Sequence, residues 1–416
     1  MKFSKFADKF VTQSGIGMLM DDLGSALRPG QDVYMLGGGN PAPIPAVRQF
    51  FRESMQRLLE HTDAFDRAVG NYDPPQGNPD FIQALAALLK SQFGWNISDK
   101  NIALTHGSQQ AFFILFNMFA GPYPDGSQKK ILFPLAPEYI GYCDVGLSPD
   151  LFESALPSIE MQDELFFKYH INFDALNITD DIGAICVSRP TNPTGNVLTD
   201  AEVTQLAQIA KDKEIPLIID NAYGKPFPDI IYTDVSPYWD DNTIICMSLS
   251  KLGLPGTRTG IVIGPRELID CIAKMNAVLT LSPGGVGTAI ATEIIQNGQV
   301  LQISEQIIRP FYQQKLDFAI ECARRHFTGF DCAIHQPEGS FFLWVWFKDL
   351  PVSSHQLYQR LKKRGVIVVP GHYFFFGLNQ AHPHQNQCLR INHAQEADVV
   401  DQAFQIIAEE VRRMSV

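Results

Sequence analysis

Two apolar runs in the middle of the chain end in residues that can do chemistry. Ile215-Pro-Leu-Ile-Ile-Asp220 ends in a carboxylate and is followed by Asn221-Ala-Tyr223, while Thr243-Ile-Ile-Cys-Met-Ser-Leu-Ser-Lys251 ends in two serines and a lysine. A lysine amine is inert while solvated and protonated, but with a depressed pKa it becomes a nucleophile and a base. Taken alone, Lys251 would be a solvated surface group, as most lysines are. Its neighbours change that: Gly256-Thr-Arg258-Thr-Gly260 follows at once, and Arg189-Pro-Thr-Asn192-Pro-Thr-Gly195 precedes the Asp220 run. Thr105-His-Gly107-Ser108-Gln109 follows a strand-like Ile102-Ala-Leu and opens the apolar helix Ala111 to Phe119. Its amides are therefore expected at a helix N-terminus, where an anion binds; by itself it would be an ordinary cap.

These residues need elements to position them. Ile131–Phe133, Ala184–Val187, Leu217–Ile219, Ile244–Met247 and Ile261–Ile263 are short β-branched runs separated by longer helical patterns. That is the βαβ rhythm of an α/β fold whose mostly parallel sheet is covered on both faces. Ligands of such sheets sit outside the carboxyl ends of the strands, which is where the motifs fall. Towards the C-terminus the pattern becomes Ser340 to Phe347, a helical Ser354 to Lys363, Val366 to Val369, and a closing helix from Glu396, as in a smaller α+β domain. Helical periodicity over Gln299–Arg324 marks a connecting helix. The expected division is residues 1–45 as an N-terminal arm and part of the small domain, 46–298 as the large domain and 299–416 as the small C-terminal domain.

Together, Ser248-Leu-Ser-Lys251 with the later Gly256-x-Arg258-x-Gly260, the Asn192-Pro-Thr-Gly195 turn and the Asp220-x-x-Tyr223 pair resemble the signature of the class I and II aminotransferases. The resemblance implies the type I pyridoxal-phosphate-dependent transferase fold and pyridoxal 5'-phosphate as cofactor. Lys251 would hold it as a Schiff base and then move the substrate proton. Asp220 would pair with the pyridine nitrogen and keep it protonated, and Tyr223 and Asn192 would hydrogen-bond the ring oxygen. Arg258 and Ser248, with Ser250, Ser108 and Gln109, would hold the phosphate, and Tyr139 would stack on the ring. Arg390 and a backbone amide near Gly38, in Gly37-Gly-Gly-Asn40, would bind the substrate carboxylate together with Asn192. Tyr72, in Asn71-Tyr-Asp-Pro-Pro-Gln-Gly77, would reach the phosphate of a neighbouring subunit, making the active unit a homodimer with shared sites.

Longer stretches, from Leu132 to Tyr142, Val187 to Val197, Cys246 to Gly256 and Val369 to Gly377, resemble bacterial valine–pyruvate aminotransferases within that family. This implies amino acid and 2-oxo acid substrates, with an amino group exchanged between L-valine and pyruvate. Ile16, Leu19 and Phe374 are expected to contribute to an apolar substrate pocket. Another amino-acid aminotransferase, or a C–S β-lyase, would carry the same catalytic set; release of pyruvate and ammonia from cystathionine without an acceptor would identify the lyase. A third alternative is a ligand-sensing transcription regulator built on this domain. The intact Lys251, Asp220 and Arg258 argue against it, as does the acidic balance of 33 Lys plus Arg against 45 Asp plus Glu, a charge of −12.

Composition narrows the rest. In 416 residues, 45% hydrophobic and 19% charged, there is material for a packed interior, and the charge excludes a nucleic-acid footprint or a polybasic membrane surface. The longest apolar run, Ala111–Ala120, contains Asn117 and falls far short of the roughly 20 residues that span a bilayer. Met1–Phe10 alternates Lys with Phe and lacks the apolar core of a secretory signal. Seven cysteines without a C-x-x-C pair suit a reducing cytoplasm. His372, His382, His384, Cys388 and His393 cluster in sequence, but their spacing fits no zinc pattern, and no metal is expected.

Overall fold

The computed structural model describes residues 1–11, 16–17, 20–21, 24 and 33–414. The larger of its sheets has eight strands: β1 Ile102–His106, β2 Gly121–Pro122, β3 Gln128–Phe133, β4 Phe152–Ser154, β5 Ile182–Ser188, β6 Leu217–Asp220, β7 Thr243–Ser248 and β8 Thr259–Ile263. Their order is β1-β8-β7-β6-β5-β3-β2, with β4 paired to β3. Strands β3 to β7 are parallel to their neighbours within that set, whereas β8 runs antiparallel to both β7 and β1. Every residue of β5, β6, β7 and β8 is buried, which is why these runs lack polar alternation. The five β-branched runs seen in the sequence are the cores of β3, β5, β6, β7 and β8.

Strand register gathers the chemistry at one edge. Ser188 ends β5 opposite Asp220 at the end of β6, and Asp220 is opposite Cys246 near the end of β7. Because β8 is antiparallel, its start rather than its end lies here: Ser248 faces Gly260, and Thr259 faces His106, the last residue of β1. Arg258 just before β8 and the helix Ser108–Phe119 just after β1 therefore share the edge with Asp220 and Lys251. Two glycines permit the closeness. A Cβ on Gly107, whose φ is +79°, would lie 2.2 Å from an Arg258 guanidinium nitrogen, and one on Gly260 would lie 2.4 Å from the Gly107 backbone.

The second sheet has six strands in the order Val369–Pro370, Cys388–Asn392, Phe342–Phe347, Cys332–His335, Phe166–His170 and Ser158–Met161. The last two form a hairpin that the sequence pattern did not reveal, and they come from within residues 46–298. The second sheet thus draws on both expected parts of the chain, through the parallel pairing of Ile334 with Phe166. The Val366–Val369 run divides: Val366–Ile367 pairs in parallel with Tyr34–Met35, and Val369–Pro370 joins the second sheet. Through the first pairing and the Asn392 amide bonded to the Leu36 carbonyl at 2.7 Å, the 34–39 segment is tied to the second sheet. The connecting helix runs from Gln299 to His326 with a π-helical turn at Ser304–Ile308, just before Pro310, whose missing amide removes a helical hydrogen bond. Among the described residues, no helix is long and apolar enough to cross a membrane.

Candidate active site

A cavity of about 560 Å³ opens at the shared strand edge, roofed by the 35–40 segment and reached by the second sheet through Arg390. Lys251, Asp220, Tyr223, Asn192, Tyr139, Ser108, Gln109, Ser248, Ser250, Arg258, Gly38 and Arg390 all line it. Lys251 Nζ donates to the Gly39 carbonyl at 2.6 Å and stands 5.5 Å from the Tyr223 ring centre. Loss of water pushes its pKa down to about 8, helped by the charge of Arg390 and opposed by Asp220. Asp220 is 8% exposed, and burial raises its carboxyl to about 6 against the hydrogen bonds it accepts from Tyr142 and Ala222. The Tyr142 hydroxyl donates to Oδ2 at 2.5 Å and the Ala222 amide to Oδ1 at 3.0 Å.

Arg390 is a buried cation held by neutral groups. It is 2% exposed, and its guanidinium donates to Asn192 Oδ1 at 2.9 Å and to the Gly37 carbonyl at 2.6 Å. Phe342 lies on it at 4.2 Å and Phe374 at 5.4 Å, measured to the ring centres. Its Nε has no protein partner, and no carboxylate of the described residues pairs with it. Burial lowers its pKa to about 10. A desolvated guanidinium whose Nε–H is unspent is suited to a carboxylate arriving from solution.

The remaining positions divide. Ser248 Oγ accepts the Ser250 amide at 2.8 Å, while Gln109 donates to the Gly141 carbonyl at 2.7 Å, steadying the loop that carries Tyr139. Ile16 lines the cavity with Met20, Met35 and Ile140, which the sequence did not single out. Phe374 does not line it, contrary to expectation: it is 1% exposed and meets the site only through Arg390, because its segment packs into the core beside Trp344. Leu19 lies outside the described residues. Tyr72 is not at the cavity of its own chain; it is 82% exposed, on the loop after the helix Thr62–Gly70. Of the clustered histidines, His384 Nδ1 bonds the Tyr169 hydroxyl at 2.5 Å, and the buried His393 ring has no protein partner.

Tyr142, Glu138 and Ser188 were passed over in the sequence. Tyr142 and Glu138 flank the aromatic at Tyr139, but their partners are distant in the chain, so local spacing carried no signal. A carboxylate and a second tyrosine beside an expected stacking residue is the only cue available.

Comparison with known proteins agrees with this geometry. The family "Aminotransferase class I and II" matches residues 31–407. The valine–pyruvate aminotransferase of Escherichia coli K12 is 52% identical over 414 residues, 99% of each chain. The solved structure of valine–pyruvate aminotransferase from Salmonella typhimurium LT2 superposes with a TM-score of 0.89 at 51% identity, covering 96% of this chain and 99% of that one. A Thermus thermophilus aspartate aminotransferase, at 20% identity, shares the fold with a TM-score of 0.78 over 99% of this chain and 100% of its own. The chain belongs to the class I and II aminotransferases.

Proposed function

We propose that this protein moves the amino group of L-valine to pyruvate, giving 2-oxoisovalerate and L-alanine, with pyridoxal 5'-phosphate as cofactor. The observation that carries the reaction class is the pairing across one cavity of a lysine amine with lowered pKa and a buried arginine lacking a counter-ion. The likeness to valine–pyruvate aminotransferases over the whole chain supports the substrate pair. So does the lining: Ile16, Met20, Met35 and Ile140 are apolar, and Arg258, Lys251 and Arg390 are the only cations among the described lining residues. A second substrate carboxylate would find no further clamp there.

The residues fit the cofactor. Where Arg258 closes on Gly107 there is no room for a Cβ, and the guanidinium lies beside the N-terminus of the helix Ser108–Phe119, a cradle for a phosphate. Asp220 is a buried carboxylate with no ion-pair partner among the described residues, suited to a protonated ring nitrogen. When bound, the cofactor accepts the amino group in one half-reaction and returns it in the other, its ring holding the electrons left at Cα. Lys251 Nζ would hold it and, once the substrate amine has freed Nζ, would take the proton from the substrate Cα, a task suited to an amine whose pKa burial lowers to about 8. Arg390, aimed by Asn192 and the Gly37 carbonyl, grips the α-carboxylate and so fixes which Cα bond faces Lys251. Tyr139 would offer the cofactor an aromatic face, and Tyr223 and Asn192 would offer its ring oxygen polar atoms.

The active unit is a homodimer in which Tyr72 completes the partner's phosphate site. Supporting this, Val69, Tyr72, Leu281 and Val286 stand exposed where the 68–73 and 281–286 segments meet, with Asp73 Oδ2 and the Ala68 carbonyl against Gly285. The working compartment is the cytoplasm, which suits seven cysteines free of disulfides, five of them buried.

Steady-state assays with pyruvate test the substrate reading. L-Valine is expected to exceed L-aspartate in kcat/KM by about a hundredfold or more. Equal rates with L-aspartate would contradict it, as would release of ammonia from cystathionine with no acceptor needed.

A further inference from the structure

A second carboxyl lies buried behind Asp220. Glu138 is 3% exposed and has no ion-pair partner among the described residues. Its Oε1 accepts the Ser188 amide at 2.9 Å, and its Oε2 accepts the Ser188 hydroxyl at 2.7 Å and the Tyr139 amide at 3.1 Å. Ser188 Oγ stands 3.4 Å from the Tyr142 oxygen, and Tyr142 in turn donates to Asp220. Four side chains, Glu138, Ser188, Tyr142 and Asp220, thus form a continuous line of oxygens from one carboxyl to the other.

Counting hydrogens decides how the line is set, since each hydroxyl has one to give. With both carboxyls ionised, Ser188 spends its hydrogen on Glu138 and Tyr142 spends its hydrogen on Asp220. The Ser188 and Tyr142 oxygens then face each other with lone pairs only, and two buried anions share one neighbourhood. A single proton on Glu138 removes both problems: Glu138 donates to Ser188, Ser188 to Tyr142 and Tyr142 to Asp220, each bond polarising the next. Placing that proton on Asp220 instead would neutralise the carboxylate that faces the Lys251 amine and leave the charge on Glu138, which has no cation.

We propose that Glu138 is a positioning residue that keeps its proton at neutral pH and heads a one-way hydroxyl relay, through Ser188 and Tyr142, that holds Asp220 as the anion facing the cavity. The direction of the shifts agrees: burial pushes Glu138 up to about 8, and Asp220, which also feels Lys251, only to about 6. The titratable groups facing Glu138 are Asp220 at the end of β6, Tyr139 and Tyr142 on its own loop, and Cys186 on β5. From the fourth side Phe374 offers its carbonyl, which accepts the Glu138 amide at 2.9 Å. The functional value of the relay rests on the reading of Asp220 as partner of the cofactor nitrogen, whereas the location of the proton does not.

Infrared spectroscopy of the cofactor-free protein at pH 7 locates the proton directly. The wild type is expected to show the band of a protonated buried carboxyl, lost in Glu138→Gln and kept in Asp220→Asn. No such band in the wild type, or one lost in Asp220→Asn and kept in Glu138→Gln, overturns the proposal. In the cofactor-loaded enzyme, Ser188→Ala cuts the relay while leaving Glu138 in place. It is expected to lower kcat for L-valine by about tenfold with KM changed by less than about twofold. A raised KM with unchanged kcat would instead place the action of Glu138 on the Arg390 wall, through Phe374, and contradict the relay. The infrared result needs neither cofactor nor substrate, so failure of the valine reading is distinguishable from failure of this one.

Discussion

The two sheets bury ionisable groups in opposite senses. At the edge of the large sheet, burial raises Asp220 and Glu138 and lowers Lys251, bringing the pKa values of all three toward neutral pH. In and around the second sheet, His335, His384 and His393 are at most 1% exposed and each is pushed down to about 3 by burial, so they stay neutral and serve packing. Arg390 is the exception there, a charge projected from the second sheet into the cavity of the first. Burial alone does not mark function. What separates the groups is their link to a cavity: Asp220, Lys251 and Arg390 line one, Glu138 is joined to Asp220 through Ser188 and Tyr142, and the three histidines do not line it.

The sharpest way to break this contrast is Lys251→Ala. It should lower valine–pyruvate turnover by at least about 10⁴-fold, measured as alanine formed, since it removes both the anchor and the base. Next comes Arg390→Lys, which keeps a cation but loses the fork held by Asn192 and Gly37. A fall in kcat/KM for L-valine of about a hundredfold is expected, and retention of half the wild-type value would mean that the carboxylate is bound elsewhere.

Stability against pH separates the regions without any substrate. A histidine neutral when folded and protonated when unfolded leaves the unfolded chain with more bound protons between pH 6.5 and about 3, so its contribution is lost as pH falls through that window. Each of the three should cost about 2 kcal/mol between pH 6.5 and 5. The raised carboxyls act the other way: the folded state binds more protons from 3.8 to about 6 at Asp220 and from 4.5 to about 8 at Glu138, and their contribution is lost as pH rises. Chemical unfolding at pH 7 and 5 should therefore show His393→Leu less acid-sensitive than the wild type by about 2 kcal/mol and Asp220→Asn more so. Equal acid sensitivity in His393→Leu would show that this ring is not held neutral.

Smaller effects refine the site. Tyr142→Phe removes the donor to Asp220 and should lower kcat by about fivefold to tenfold. Phe374→Leu takes one ring from Arg390 and should raise KM for L-valine by about threefold with little change in kcat, visible in the same assay.

How much of this was legible in the sequence follows from distance along the chain. Lys251, Arg258, Asp220, Tyr223 and Asn192 sit in short motifs at the ends of β-branched runs, so the strand pattern and the motif point to the same place. The hairpin Ser158–Met161 and Phe166–His170 was missed because its partner, Cys332–His335, is far away in sequence and no local periodicity encodes a parallel pairing. Glu138 and Tyr142 stood within a stretch already singled out for Tyr139, yet their roles depend on Ser188 and Asp220, 50 and 78 residues away. Phe374 was read as pocket because it is apolar near the expected pocket loops, whereas packing turned it under Arg390. Tyr72 stands exposed on the loop after Thr62–Gly70 and does not line the cavity of its own chain, a placement that its Pro/Gly-rich surroundings did not encode.

The most direct test of the central claim follows the nitrogen itself. The cofactor-loaded protein is given ¹⁵N-labelled L-valine and unlabelled pyruvate, and alanine is examined by mass spectrometry. The result expected is ¹⁵N-alanine in step with 2-oxoisovalerate, and none with Lys251→Ala. Label recovered as ammonia, or alanine formed equally by the Lys251→Ala variant, would contradict a valine–pyruvate aminotransferase centred on Lys251.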